Sequence, residues 1–368
     1  MPRASIQSEV DSRFMAAAIR LSRSHLGLTS TNPSVGTLIV RDGVIVGRGV
    51  TAVGGRPHAE PIALAEAGHR ARGATAYVTL EPCAHHGRTP PCAEALIAAG
   101  VRRVVGAASD PDPRVSGKGY AMLRAAGIEV VEGILREEAA DLMAGYLIRS
   151  LRKRPEVTLK LAVSRDGMIG IRSEGQVAIT GEIARRQVHM MRAEVDAILI
   201  GIGTAIADDP ELTCRLPGLA SRSPARVVLD ARARLPRKSR LAGTVDKAPV
   251  MIAAGPEADP ERKAGLEATG IRFIATEIFE ARIALPELLE DLASRGISSL
   301  MVEGGAETAR GFLAEGLVDR IALFSGPLDI GAGGIAAPVS CATVPSEFRQ
   351  IGEACYGDDG FAEWVRAG

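Results

Sequence analysis

Two consecutive α/β domains, the first a three-layer α/β/α sandwich, follow from three observations on this sequence. Its 368 residues exceed what one ordinary core supports. Short apolar strand patterns alternate with helical ones along nearly the whole length, the pattern of sheets covered by helices. The alternation pauses at Arg152-Lys153-Arg154-Pro155 and then starts again, which divides the chain near residue 150 into domains 1–150 and 151–368.

Taken in order, Asp11 or Ser12 is expected to cap a first helix running through Leu26, with Gly27 as its stop. Thr31 to Gly36 leads into a strand at Thr37–Val40, Asp42-Gly43 turns the chain, and Val44–Val50 returns beside it. Thr51 to Pro57 then delivers His58 to a helix whose Ile62, Ala63, Leu64 and Ala67 face a core, so His58 and Glu60 fall in its first turn. Ala76–Leu80 reads as a short buried strand, which places Pro82-Cys83 at a strand's carboxyl end, where open α/β sheets hold their ligands. Cys92 opens a helix over Ala93–Ala99, whose amino-terminal dipole favours a thiolate. A strand at Arg103–Ala108, a helix at Gly119–Ala126 and a strand at Ile128–Glu132 complete the sandwich. One mixed-charge helix, Arg136–Leu151, ends in the basic run, which reads as a solvated helix end.

Beyond Pro155, strands are expected near 157–163, 197–200, 226–229, 249–253, 271–274, 300–302 and 321–324, with helices at 182–192, 285–295 and 307–314. Lysine and arginine number 44 and so do aspartate and glutamate, so the balanced charge gives no general attraction to nucleic acid or anionic membrane. Aromatics are only 3%, leaving few platforms on which single-stranded bases could stack. Five cysteines without a dense framework fit a reducing compartment, and Cys214, Cys341 and Cys355 are expected as small apolar residues. Met1 to Ser12 lacks the apolar stretch of a signal peptide, and the longest apolar run, Ala197 to Ala207, is too short to span a membrane. A cytoplasmic protein is expected, with no membrane or nucleic-acid partner.

The chemistry concentrates between Pro57 and Cys92. His58-Ala59-Glu60, then Pro82-Cys83, then Cys92 follow the order of residues in zinc-dependent deaminases. One imidazole and two thiolates make three ligands, which leaves the fourth tetrahedral position of Zn²⁺ open for water. Glu60 is then a proton shuttle rather than a ligand. A structural zinc clip is the rival reading, with His85 or His86 closing the shell, but such a clip has no use for a carboxylate beside its ligand.

These residues, with Asn32-Pro33-x-Val35-Gly36 before them and Gly87-Arg88-Thr89-Pro90-Pro91-Cys92 among them, resemble the bifunctional riboflavin-biosynthesis family RibD. The second half agrees through Lys160-Leu161-Ala162-x-Ser164-x-Asp166-Gly167, Asp208-Asp209-Pro210-x-Leu212-Thr213-x-Arg215 and Val302-Glu303-Gly304-Gly305. The resemblance implies a cytidine-deaminase-like zinc domain followed by a dihydrofolate-reductase-like domain that uses NADPH. It implies that His58, Cys83 and Cys92 hold zinc, that Glu60 shuttles protons, and that Asn32, His85 and Arg88 orient a phosphorylated ribosylaminopyrimidine.

In the second domain it implies substrate contacts at Gln176, Arg192, Leu212, Arg215 and Glu303. The implied cofactor contacts are Ala162, Ala178, Thr204, Asp208 and the segment opening Gly305-Ala306-Glu307-Thr308. The Gly201-x-Gly203 pair is not a Rossmann fingerprint, because Ile206 stands where a third small residue belongs. Two positions depart from the family. Thr51 replaces a histidine and is expected to weaken a substrate contact; Ala178 replaces a tryptophan at the nicotinamide. A homo-oligomer of the chain is left open.

Overall fold

The computed structural model describes residues 3–86, 90–112, 115–172, 175–280 and 282–367. The chain folds as two units, Met1–Lys153 and Arg154–Gly368.

In the first unit α1 (Arg3–Ser22) is followed by the antiparallel pair β1 (Gly36–Arg41) and β2 (Val44–Val50). Then come α2 (Ala59–Ala67), β3 (Thr75–Leu80), α3 (Cys92–Ala98), β4 (Arg103–Ala108), α4 (Lys118–Ala125) and β5 (Glu129–Val131). The sheet order is β2–β1–β3–β4–β5, with β3, β4 and β5 parallel. Glycines show why helices cover both faces. A Cβ on Gly36 would lie 2.1 Å from the Ala18 carbonyl oxygen of α1. On Gly47 and Gly49, which pair with Ile39 and Thr37, it would lie 2.1 and 2.0 Å from the Ala63 and Ala59 carbonyls of α2. Side chains alternate between faces along a strand, so α1 and α2 lie on opposite sides. The absent side chains let α2 rest directly on the backbone of β2.

Asp11 does not cap α1. It lies inside the helix at 2% exposure, where Arg103 donates from Nη1 at 2.7 Å and from Nη2 at 2.8 Å. Tyr77 donates its hydroxyl to the same carboxylate at 2.9 Å. Capping preference is a local signal and cannot register a partner 92 positions away. The expected helix 136–151 is two helices, α5 (Arg136–Leu142) and α6 (Ala144–Arg152), separated at Met143 (φ −104°, ψ 15°). Met143 is buried in the core together with Ala139, whereas α6 has no fully buried residue, so the two stretches pack differently.

The second unit holds a nine-stranded sheet ordered β11–β10–β9–β8–β14–β6–β15–β18–β17. Its parallel strands are β6 (Glu156–Val163), β8 (Ala197–Gly201), β9 (Ala225–Leu229), β10 (Val250–Ala254), β11 (Arg272–Ala275), β14 (Ser299–Val302) and β15 (Arg320–Ser325). Two antiparallel strands close one edge, β17 (Phe348–Tyr356) and β18 (Asp359–Arg366). Short antiparallel pairs join β7 (Met168–Ile171) to β16 (Gly334–Ala336) and β12 (Ile278–Phe279) to β13 (Arg282–Ile283).

The helices are α7 (Glu182–Glu194), α8 (Ile202–Asp208), α9 (Pro260–Glu267), α10 (Leu285–Ser294) and α11 (Ala306–Ala314). Alternate residues of β8 serve two cores: Ile198 and Ile200 pack with Leu266 of α9, Ala197 and Leu199 with Leu288 of α10 and Phe312 of α11. The strands β17 and β18 and the helices α8 and α9 were not expected. Helix α9 carries a local signal, since Asp259 caps it by accepting from the Glu261 and Arg262 amides, and Pro260 follows. Cys214 is buried, whereas Cys341 and Cys355 are exposed, Cys355 on the mostly exposed edge strand β17. Among the described residues no helix is long and apolar enough to cross a membrane.

The Arg103–Asp11 pair allows a direct check. Burial opposes ionisation of Asp11, but bonds from Arg103, Tyr77 and Gln7 outweigh it and hold its carboxyl below the usual value. Asp11→Ala leaves Arg103 buried beside only Glu129 and is expected to destabilise the first unit by about 3 kcal/mol. Hydrogen exchange, which reads the two units separately, should show faster opening of first-unit amides alone; unchanged protection would contradict the assignment.

Candidate active sites

The first site is assembled by three elements of unit 1. His58 is the N-cap of α2, Cys83 follows the carboxyl end of β3, and Cys92 opens α3. His58 Nδ1 lies 3.8 Å from Cys83 Sγ and 3.4 Å from Cys92 Sγ, and all three donor atoms lie within 4.8 Å of one another. The Cys92 amide donates to Cys83 Sγ at 3.2 Å, so the start of α3 supports the first thiolate. The donor set fits Zn²⁺ by chemistry, two sulfurs and one ring nitrogen converging on a single point. Among the described residues the ligand group contains these three, and neither His85 nor His86 joins it. His86 is exposed and pairs with Glu94 at 3.1 Å, so the rival four-ligand clip has no fourth member there.

Glu60, one residue into the first turn, is 4% exposed. Burial, then the Cys83 sulfur, push its carboxyl above the usual carboxylate range. A buried carboxyl with a raised pKa beside a metal-ligand set is a candidate to accept and return a proton.

Asn32 stands beside the loop that precedes His58. A Cβ on Gly55 would lie 2.4 Å from Asn32 Nδ2, so the glycine (φ +88°) leaves the space that the amide occupies. Thr51 is not on this surface. It is 1% exposed, its hydroxyl accepts the Val35 N–H at 2.9 Å, and its carbonyl oxygen pairs with His25 Nδ1 at 2.7 Å. Thr51 therefore ties two loops together inside the unit, and its hydroxyl is not available to replace a histidine's contact with a ligand. His85 is half-buried with Nδ1 unpartnered among the described residues, and Arg88 lies outside the described residues.

The second site lies at the carboxyl ends of β6, β8 and β14. Glu303, just after β14, accepts from Arg192 Nε at 2.8 Å and from Nη2 at 2.9 Å, with Lys160 Nζ of β6 3.7 Å away. Burial opposes ionisation of Glu303, but Arg192 and Lys160 outweigh it and hold the carboxyl at about 2. Arg192 Nη1 also donates to the Thr213 carbonyl at 3.3 Å, tying α7 to the loop 209–215. Arg215 ends that loop exposed, and among the described residues its guanidinium has no hydrogen bond or ion pair. The Leu212 side chain is turned into the core at 4% exposure, leaving its backbone for any substrate contact. Gln176 and Ala178 are exposed.

Beside this cluster two strand-to-helix turns meet. The Gly305 amide donates to Thr204 Oγ1 at 3.0 Å, and a Cβ on Gly201 would lie 2.5 Å from Thr308 Oγ1. Ala306 is buried, Glu307 exposed, and Ala162 on β6 and Asp208 at the end of α8 are half-buried. Burial alone raises the Asp208 carboxyl above its usual value. The turns bring N–H groups and hydroxyls together at the start of α11, an arrangement that suits phosphate.

His189 was not singled out by the sequence. It sits one helical turn before Arg192, and its Nδ1 accepts the Arg215 amide at 3.3 Å. The one-turn spacing from Arg192 is the signal that could have found it.

Comparison with known proteins agrees with both halves. Residues 8–108 match the cytidine and deoxycytidylate deaminase zinc-binding region, and residues 155–348 match the RibD C-terminal domain. The chain is 40% identical over 325 residues to the riboflavin biosynthesis protein RibD of Aquifex aeolicus, covering 88% of this chain and 89% of that protein. It is 42% identical to that of Bacillus amyloliquefaciens over 88% and 86% of the two chains. The structure of Acinetobacter baumannii RibD superposes with a TM-score of 0.86 at 37% identity, covering 98% of this chain and 100% of that one. A diaminohydroxyphosphoribosylaminopyrimidine deaminase/5-amino-6-(5-phosphoribosylamino)uracil reductase from Thermotoga maritima does so with a TM-score of 0.85 at 33% identity, over 98% and 99%. With a zinc-binding deaminase domain followed by a RibD reductase domain, this chain belongs to the RibD family of riboflavin biosynthesis proteins.

Proposed function

We propose that the chain removes the ring amine of diaminohydroxyphosphoribosylaminopyrimidine in its first domain and reduces the ribosyl chain of 5-amino-6-(5-phosphoribosylamino)uracil in its second. The observation that carries the first step is the convergence of His58, Cys83 and Cys92 with a buried carboxyl, Glu60, one residue into the same helix. Zn²⁺, which these three residues would hold, would supply the Lewis acidity that lets water act as a nucleophile. Glu60 is placed to take up a proton and return it to the departing amine. Asn32, His85 and Arg88 orient the pyrimidine and its phosphorylated ribose. The Cys92 amide and the Gly47–Gly49 contact with α2 hold the donor set in place without touching the substrate.

For the second step, NADPH supplies the hydride, and its phosphates are assigned to the turn Gly305-Ala306-Glu307-Thr308 with Thr204; Ala162, Ala178 and Asp208 complete the cofactor contacts. Arg192 spends most of its donors on Glu303 and Thr213, so its task is to fix the Glu303 carboxylate. Arg215, with its guanidinium uncommitted among the described residues, is the anchor for the substrate phosphate. Glu303 orients the ribosyl hydroxyls, and Lys160, whose ammonium burial destabilises, is placed to give up a proton beside it. Gln176 and the Leu212 backbone border the same space. The balanced charge of 44 against 44 suits a small phosphorylated substrate better than nucleic acid, and we place the chain in the cytoplasm.

Metal analysis and ammonia release test the first reading together. Cys83→Ser should lose most of its zinc, whereas Glu60→Gln should keep its zinc and lose at least about 10²-fold in deamination. A Glu60→Gln protein with full turnover would refute the proton shuttle.

The second site also has a pH consequence. Burial, then Arg192 and Arg215, lower His189 from 6.5 to about 4. Below pH 6.5 the unfolded imidazole binds a proton that the folded one refuses, so stability of the second unit should fall as pH drops from 6.5 to about 4. The chain's single tryptophan, Trp364, is buried in that unit and reports its unfolding. His189→Asn should flatten this acid limb in Trp364 fluorescence; an unchanged limb would contradict the neutral imidazole.

A further inference from the structure

Arg226 on β9 is buried completely, with 0% of its surface exposed, and none of the groups it bonds is a carboxylate. Nη1 donates to the Glu211 carbonyl at 3.0 Å and to Thr244 Oγ1 at 2.7 Å. Nη2 donates to the Thr244 carbonyl at 2.6 Å and to the Ala248 carbonyl, and Nε is buried with no partner among the described residues. Burying a cation against neutral acceptors is costly, so the position calls for an account of what the cation holds.

Three of these bonds hold Thr244 and Ala248, and the fourth, to Glu211, reaches the loop that presents Arg215. Residues 209–215 form neither helix nor strand, and two non-glycine residues there are left-handed, Asp209 at φ +38° and Leu212 at φ +58°. Such a residue is strained and persists only where its surroundings impose it. Glu211, between them, is tied at both ends. Its carbonyl accepts from Arg226, and its carboxylate accepts from Lys247 at 2.9 Å, Arg240 at 3.2 Å and the Thr213 hydroxyl at 2.8 Å. Past these ties Thr213 bonds Arg192 and the Arg215 amide bonds His189. Arg226 is the tie that comes from the sheet interior.

We propose that Arg226 is a positioning residue of the reductase site: by fixing the Glu211 carbonyl it imposes the left-handed turns that set the Arg215 guanidinium for the substrate phosphate. Arg226 touches neither substrate nor cofactor and acts through Arg215, so the inference rests on the reading of Arg215 as phosphate anchor.

The test is reductase kinetics with 5-amino-6-(5-phosphoribosylamino)uracil and NADPH on the full chain. Arg226→Met should raise KM for the phosphorylated substrate by at least about tenfold while kcat stays within about threefold and KM for NADPH is unchanged. Arg226→Lys, keeping the charge and part of the bonding, should recover part of the loss. In an Arg215→Ala background Arg226→Met should add little, because the group it positions is gone. A variant with native Trp364 emission and unaltered KM overturns the proposal, as does a loss that persists undiminished beside Arg215→Ala. Should Arg226→Met fail to fold, Arg226→Lys decides, with a smaller rise in the same KM expected and an unchanged KM refuting. Absence of NADPH oxidation in the unsubstituted protein would refute the reductase reading itself, and with it this inference.

Discussion

A parallel strand cannot turn straight back into its neighbour; the chain must cross over, and the crossover begins at the strand's carboxyl end. Both sites in this protein are built from that constraint. In the first unit Cys83 follows β3 and Cys92 opens the helix that leads to the parallel strand β4. In the second, Thr204 lies one turn after β8, and Glu303 and Gly305 sit between β14 and α11. Every one of these side chains or amides is presented at a strand-to-helix turn. The helix starts there have backbone N–H groups without helical partners, which is why one turn supports a thiolate and the other suits a phosphate.

Two buried glutamates show how the same residue is set to opposite tasks. Glu60 has burial and a neighbouring sulfur against it, and both raise its carboxyl above the usual value. Glu303 is buried as well, yet Arg192 and Lys160 outweigh that burial and keep it ionised. One environment suits a proton shuttle, the other a fixed anion. The arginines divide in the same way: Arg192 is committed to Glu303, while Arg215 is held by its backbone and its guanidinium has no partner among the described residues.

The zinc set was legible in the sequence because its chemistry is local: His58 and Glu60 share one turn, and Cys83 and Cys92 are nine positions apart. Strands buried on both faces were legible too, since their apolar runs are unbroken. What escaped depends on distant partners. Asp11 reads as a cap until Arg103 is brought against it, and nothing local shows that the Thr51 hydroxyl is taken by the Val35 amide. The edge strand β17 is mostly exposed, so no apolar alternation marked it. Arg226 carries no local sign of its task, because an arginine in a strand pattern looks like an exposed residue.

Two chemistries on one chain that use separate residues, zinc for the first and none for the second, must respond differently to loss of the metal. Stripping the zinc and following NADPH oxidation on already deaminated substrate tests this most directly, with Trp364 fluorescence confirming that the second unit stays folded. The account predicts that ammonia release from the diamino substrate stops while NADPH oxidation continues at its original rate. Loss of NADPH oxidation in zinc-free protein whose second unit is still folded would contradict it.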